Sequence, residues 1–196
     1  MIQLIQIYLI QLVKMIFTFL NSIQIPKLII PTDKIDLGDR MKMYENAPLP
    51  QSGKIKSTDN FIVRLDGRSF SKFTSGFAKP FDPIFTKAMC YTAQDLLLKF
   101  NCQTAYTHSD EITLIFSRQY PDSSGNLISK HMFDGRIQKI ISLTASYCSV
   151  RFNWHLSKLL EENAIKPNPR VYSEKLLNLI ANCEQMFDAR IIIFNV

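Results

Sequence analysis

The chain lacks any Cys-x-x-Cys pair, and its four cysteines, Cys90, Cys102, Cys148 and Cys183, lie far apart. That spacing argues against a zinc ribbon and against a disulfide framework. It suits reduced, mostly buried thiols in an intracellular protein, cytoplasmic or mitochondrial. Internal repeats and low-complexity tracts are missing as well. So is an unbroken apolar run of bilayer length. Residues 1–31 are rich in Ile, Leu and Gln, but Gln3, Gln6, Gln11 and Lys14 interrupt the roughly 20 apolar residues that a span requires, and a membrane partner is not expected. The stretch also lacks the basic start and cleavage site of a secretory signal and the Arg- and Ser-rich character of a mitochondrial presequence. Composition changes at Thr32-Asp33-Lys34-Ile35-Asp36. Residues 1–35 are therefore expected to be an extension, disordered or not native, with a start at Met41 or Met43 and a targeting or anchoring role as the open alternatives.

What is present supports one compact domain over residues 36–196. A hydrophobic content of 46% over 196 residues is enough for a single core. The net charge of +6 suits a polyanionic partner, because Lys and Arg that neutralise phosphates release counterions, and it describes a mildly basic soluble protein equally well.

The residue pattern predicts the elements in order. Residues 61–65 alternate and are β-branched, which reads as a strand, and Asp66-Gly67-Arg68 ends it. Asp82-Pro83 is a helix start, a carboxylate cap followed by proline, and Phe85, Met89, Thr92 and Leu96 continue it as a buried stripe to about Phe100. Asp82 is thus expected to be a cap rather than a catalytic group. Residues 103–106 and 112–116 read as strands around a polar hairpin tip, Thr107-His108-Ser109-Asp110-Glu111, with His108 a turn residue. A polar loop is expected over 118–129, around Pro121 and Gly125. A second helix is expected over 136–154, with Ile137, Ile140, Ile141, Thr144, Cys148 and Phe152 on its buried stripe and Lys139, Ser142, Ser146, Ser149 and Asn153 on a different face. Shorter helices over 155–164 and 173–186 and a β-prone run over 189–194 complete the chain.

Strand, helix, strand, strand, helix, strand is the split βαβ or ferredoxin-like order, an α+β fold with a four-stranded antiparallel sheet and helices on one face, here with a helical insertion. This topology puts the first strand beside the third. The end of the first strand and the hairpin between the second and third then meet, and Asp66 and Asp110 can share a metal. A carboxylate at a strand end and another at a tight turn is how palm-type polymerases hold paired magnesium ions. The topology alone does not fix an activity, since the fold also hosts RNA-binding modules and metal chaperones.

Six stretches in order carry a family resemblance: Asp36-Leu37-Gly38-Asp39-Arg40-Met41-Lys42, Arg64-Leu65-Asp66-Gly67-Arg68-Ser69-Phe70, Phe77-Ala78-Lys79-Pro80-Phe81-Asp82, Ser109-Asp110-Glu111-Ile112, Ile137-Gln138-Lys139 through Ala145-Ser146, and Phe187-Asp188-Ala189-Arg190. The chain resembles the tRNA(His) guanylyltransferase superfamily, in its guanylyltransferase-like branch. That resemblance implies magnesium-dependent addition of a nucleotide, typically GMP from GTP, to the 5′ end of tRNA in the 3′-to-5′ direction with loss of pyrophosphate, ATP serving as activator. It also implies two Mg2+ ions held by Asp66, the Gly67 carbonyl and Asp110. Asp66, Gly67, Arg68, Ser69, Phe70 and Ser71 would hold the triphosphate, with Ser109 and Asp110 completing the nucleotide site.

The chemistry suits these residues. Two magnesium ions about 3.5–4 Å apart can stabilise the attacking and leaving oxygens of an in-line displacement. Magnesium takes oxygen ligands and keeps several waters, so two aspartates and a carbonyl suffice. Gly67 is expected to permit a sharp turn near phosphate, and the amides after it can cradle an anion. Arg64, Arg68, Lys79, Arg136 and Lys139 are the candidate phosphate contacts. Glu111 either joins that phosphate and metal region or simply pairs with a nearby Arg or Lys, and Lys139 either contacts phosphate or lies solvated on its helix. The chain departs from the family at Ser71, where members often carry histidine. It also ends at Val196 without the C-terminal helices that members use for oligomer contacts and tRNA binding. A homo-oligomer therefore stays open, as do two other functions: a non-catalytic nucleotide- or RNA-binding remnant, and a nucleotidyl cyclase.

Overall fold

Strict alternation makes the central strand. In Asn60–Gly67 (β1) every second side chain, Phe61, Val63 and Leu65, is fully buried, while Ile62, Arg64 and Asp66 point to the opposite face. The computed structural model describes residues 36–120, 124–125 and 130–194. The expected extension over 1–35 and most of the polar loop around Pro121 lie outside the described residues.

β1 sits between Glu111–Phe116 (β3) and Phe187–Phe194 (β4), and Thr104–His108 (β2) closes one edge; the order is β2-β3-β1-β4 and every pairing is antiparallel. This is the ferredoxin-like sheet that the order of elements predicts. Helices cover one face. Pro83–Phe100 (α3) starts at the Asp82 cap, whose carboxylate accepts from the amides of Ile84 and Phe85 at 2.9 and 3.3 Å. Its stripe buries Met89, Thr92 and Leu96. Ile137–Ala164 (α4) buries Ile140, Thr144, Cys148 and Phe152. Two further short helices, Leu37–Glu45 (α1) and Phe70–Thr74 (α2), have no counterpart in the sequence reading, and Glu174–Ala181 (α5) ends five residues before its expected limit.

Two other expectations fail. The helix expected to stop at Trp154 continues unbroken to Ala164, since no proline or glycine interrupts it and Arg151 and His155 both hold Asp95 of α3, at 2.5 and 2.6 Å. Ser149 and Asn153 do not share the exposed face of Lys139 and Ser142. Ser149 Oγ accepts from the Phe187 amide at 2.9 Å and the Asn153 amide donates to the Gln185 carbonyl at 2.8 Å, so both fasten α4 to the entry of β4. Of the cysteines only Cys102 and Cys148 are buried; Cys90 and Cys183 are exposed, and all four are free thiols. No helix among the described residues is long and apolar enough to cross a membrane.

Candidate active site

The β2–β3 hairpin is tighter than the pattern suggests. His108 pairs directly with Glu111, so only Ser109 and Asp110 form the turn, and Ser109 takes a left-handed conformation at φ 55°. The Asp110 carbonyl accepts from the Gly67 amide at 3.2 Å, which fastens the hairpin tip to the end of β1. Asp66 and Asp110 therefore lie together at one end of the sheet. Ser109 Oγ donates to Asp110 Oδ1 at 3.0 Å.

The electrostatics agree with this juxtaposition. Partial burial, followed by the negative charges of Asp110 and Asp188, pushes the Asp66 carboxyl above its ordinary value, while Arg190 and Arg64 pull it back only in part. Asp188 stands directly across from Asp66 in the β1–β4 register. No hydrogen-bond donor meets the Asp66 side chain among the described residues. Glu111 is the cross-strand neighbour on the other side, and it is ion-paired with Arg64. The pairing weighed for Glu111 is thus present, and its partner is Arg64.

The segment after Asp66 is fixed by one aromatic ring. Phe70 is buried among Phe73, Phe152 and Phe187, at centroid distances of 5.3, 5.4 and 4.9 Å, so its side chain belongs to the core and only its backbone can face a ligand. Gly67 serves a different purpose from the one expected. It is the last residue of β1 rather than a sharp turn, and a Cβ there would run into the Phe70 ring. The turn is made instead by Ser69, left-handed at φ 60°. Arg68, Ser69 and Ser71 are exposed. The amide of Arg68 donates to the Met186 carbonyl, but those of Ser69, Phe70 and Ser71 meet no protein acceptor among the described residues.

A cleft of about 470 Å3 opens beside the hairpin, with Phe77, Phe85 and Met89 on one side and Thr107, His108 and Ser109 on the other. Lys79 lines it too and is exposed. Arg136 and Lys139 do not join this end. Arg136 bridges Lys54, the carbonyl of its neighbour Gly135 accepts from the Ile55 amide at 2.9 Å, and His131 packs edge-on against Phe61 at 5.0 Å. The start of α4 therefore sits beside the start of β1, a strand length from Asp66. Lys139 is exposed, with its ammonium 5.1 Å from the Phe133 ring centre. Asp188 is the neighbour that sequence reasoning missed as part of the site. The usable signal was the alternation of Phe187, Ala189 and Ile191, which starts the last strand two residues earlier than its β-branched run.

A ferredoxin-like palm with two aspartates joined at a strand end and a hairpin tip defines the class. Residues 38–195 match the sequence profile described as tRNAHis guanylyltransferase, most of the chain, and the protein belongs to that family. An uncharacterised protein of Acanthamoeba polyphaga mimivirus is 44% identical over 160 residues, covering 81% of this chain and 52% of the viral one. A bacterial tRNA(His) guanylyltransferase-like protein in complex with GTP is 29% identical with a TM-score of 0.55, covering 82% of this chain and 64% of its own. The ATP complex of a bacterial protein of the same description gives the same identity and TM-score, over 81% and 58%. The chain thus spans about half the length of the viral relative.

Proposed function

We propose that the chain is a nucleotidyltransferase acting on the 5′ end of tRNA, adding GMP from GTP in the 3′-to-5′ direction. The observation that carries this reading is the meeting of Asp66 and Asp110 across the Gly67–Asp110 hydrogen bond. The GTP and ATP complexes of the bacterial relatives support nucleotide binding.

Magnesium fits the residues present. The described residues hold no group of three or more His, Cys, Asp or Glu side chains able to ligate a metal. Two carboxylates and a backbone carbonyl are hard oxygen donors of the kind magnesium takes, with water and substrate phosphates supplying the rest. Asp66 and Asp110 would hold it, with the Gly67 carbonyl as a third oxygen donor. A magnesium ion held there would supply charge neutralisation at the reacting phosphate oxygens.

The chain's own groups position the reactants. The amides of Ser69, Phe70 and Ser71 take the triphosphate, Ser109 and Lys79 flank it, and the aromatic wall of Phe77 and Phe85 receives the base. The 3′-hydroxyl of the incoming nucleotide forms a new ester bond to the activated 5′ phosphorus of the RNA. As that ester forms, the bond from the phosphorus to its leaving group breaks and the hydroxyl proton passes to solvent: pyrophosphate departs from a triphosphorylated end, and AMP from an end activated by ATP, whose pyrophosphate was lost in the activation. Incubating the purified protein with 5′-activated tRNA, radiolabelled GTP and magnesium tests the reading. Incorporation lost in Asp66→Ala and Asp110→Ala is expected. Triphosphate binding without incorporation would establish a binding-only member of the family, and cyclic nucleotide release a cyclase.

A further inference from the structure

A second cleft, of about 410 Å3, lies between the first turns of α3 and the last turns of α4 and carries Lys87, Lys166 and Arg170 against a single acid, Glu162. Its floor is built rather than incidental. The Asn163 side chain is buried, donates to the Arg170 carbonyl at 2.8 Å and accepts from the Arg170 amide at 3.1 Å, which fixes the loop after α4. Asp82 holds the same loop from the other side, through the Tyr172 hydroxyl at 3.0 Å and the Arg170 guanidinium at 3.5 Å. Lys87 and Lys166 are exposed, and the Arg170 side chain keeps 43% of its surface.

We infer that this cleft is a track for the phosphate backbone of the RNA substrate, a proposal that rests on the tRNA-directed reading above. Two observations favour a backbone over a nucleotide. No aromatic residue lines the cleft, so it offers a base nothing to stack on, whereas the neighbouring cleft has Phe77 and Phe85. The two clefts also share the start of α3 as a common wall: Asp82, Phe85 and Thr86 face the one with Lys79 and Ser109, and Pro83, Ile84 and Lys87 face the other. Cations thus continue from the candidate nucleotide site round the helix start. Such contacts position RNA without reading its sequence.

The test is a salt titration of RNA binding on the full chain carrying Lys87→Gln and Lys166→Gln, two exposed changes that leave the Asp82–Arg170 tie intact. Each lost phosphate contact removes roughly 0.7–0.9 from the slope of log K against log salt, so a slope shallower by about 1.4–1.8 and affinity weaker by roughly 10- to 100-fold in about 0.1 M salt are expected. Glu162→Gln should tighten binding. GTP affinity should not change, and at saturating RNA the incorporation rate should match that of the unmodified protein. An unchanged slope overturns the inference, and so does a loss of GTP affinity, which would make the cleft a nucleotide site. If the unmodified protein binds no RNA at all, the tRNA-directed reading falls first and takes the track with it.

Discussion

Replacing Asp66 with Asn should stabilise the metal-free protein while abolishing the nucleotide incorporation proposed for it. Asp66 stands directly across from Asp188 and in reach of Asp110, and only Arg190 and Arg64 oppose this, the latter already paired with Glu111. Like charges directly opposed across two strands cost roughly 0.2–1 kcal/mol, and solvent around this partly open face keeps the figure toward the lower half. For a domain of this size each kcal/mol moves the melting temperature by about 2–4 °C, so a rise of about 0.5–2 °C is expected. The sign follows from linkage. The native carboxyl binds its proton more tightly than the unfolded chain does, so stability falls as pH rises through the raised native value, and the penalty is complete at neutral pH. The advantage of Asp66→Asn should shrink as the pH is lowered.

Thermal melts in chelator, then in magnesium, check this. In chelator at neutral pH the variant melts above the unmodified protein. Adding magnesium raises the unmodified protein alone, because an ion that binds only the native state stabilises it by mass action and the variant has lost a ligand. A variant that melts lower than the unmodified protein in chelator would refute the reasoning, since Asp66 would then be a structural carboxylate with a favourable partner.

Further outcomes follow from the packing. Burial pushes the Cys102 thiol up to about 11 and raises that of Cys148 further, whereas Cys90 and Cys183 are exposed, so a thiol reagent at neutral pH should titrate two cysteines quickly and the other two only after denaturation. Cys90 lines the cleft beside Ser109, and GTP should slow one of the fast reactions. Burial raises the Asp95 carboxyl, but hydrogen bonds from His155 and Arg151 outweigh it and leave it below its usual range. Its contribution is present above the unfolded value of about 3.9 and lost as pH falls through the native one, so Asp95→Asn should cost about 1–2 kcal/mol in urea melts at neutral pH and little in acid. Gly67→Ala should cost roughly 1–3 kcal/mol by forcing the Phe70 ring aside, and should lower activity with it.

The sheet order and the meeting of Asp66 with Asp110 were legible because each rests on a local signal: alternation in β1, a polar break between two short strands, and an Asp-Pro helix start. What escaped depended on partners distant in sequence. Nothing near Trp154 shows that Arg151 and His155 will clasp Asp95 and carry the helix through. Ser149 and Asn153 read as a polar face until the Phe187 amide and the Gln185 carbonyl come to meet them. Gly67 invites a turn, yet its requirement is space for a ring three residues on.

Arg136 and Lys139 show how topology screens candidates that charge alone admits. β3 leaves the hairpin and runs away from it, so the helix that follows must begin at the far end of the sheet. β1 starts at Asn60, six residues before Asp66, which at about 3.3 Å each separates that end from Asp66 by on the order of 20 Å. An arginine cannot span this. α4 then runs back over 28 residues, about 42 Å at 1.5 Å per residue, farther than the strand beneath it. It passes the carboxylate end at Ser149 and Asn153, which hold the entry of β4, and its last turns run on to meet the start of α3, which the β2–β3 hairpin also approaches. The cations that do stand at the start of α3 and beyond the end of α4 are Lys79, beside the candidate nucleotide cleft, and Lys87, Lys166 and Arg170, on the adjoining one.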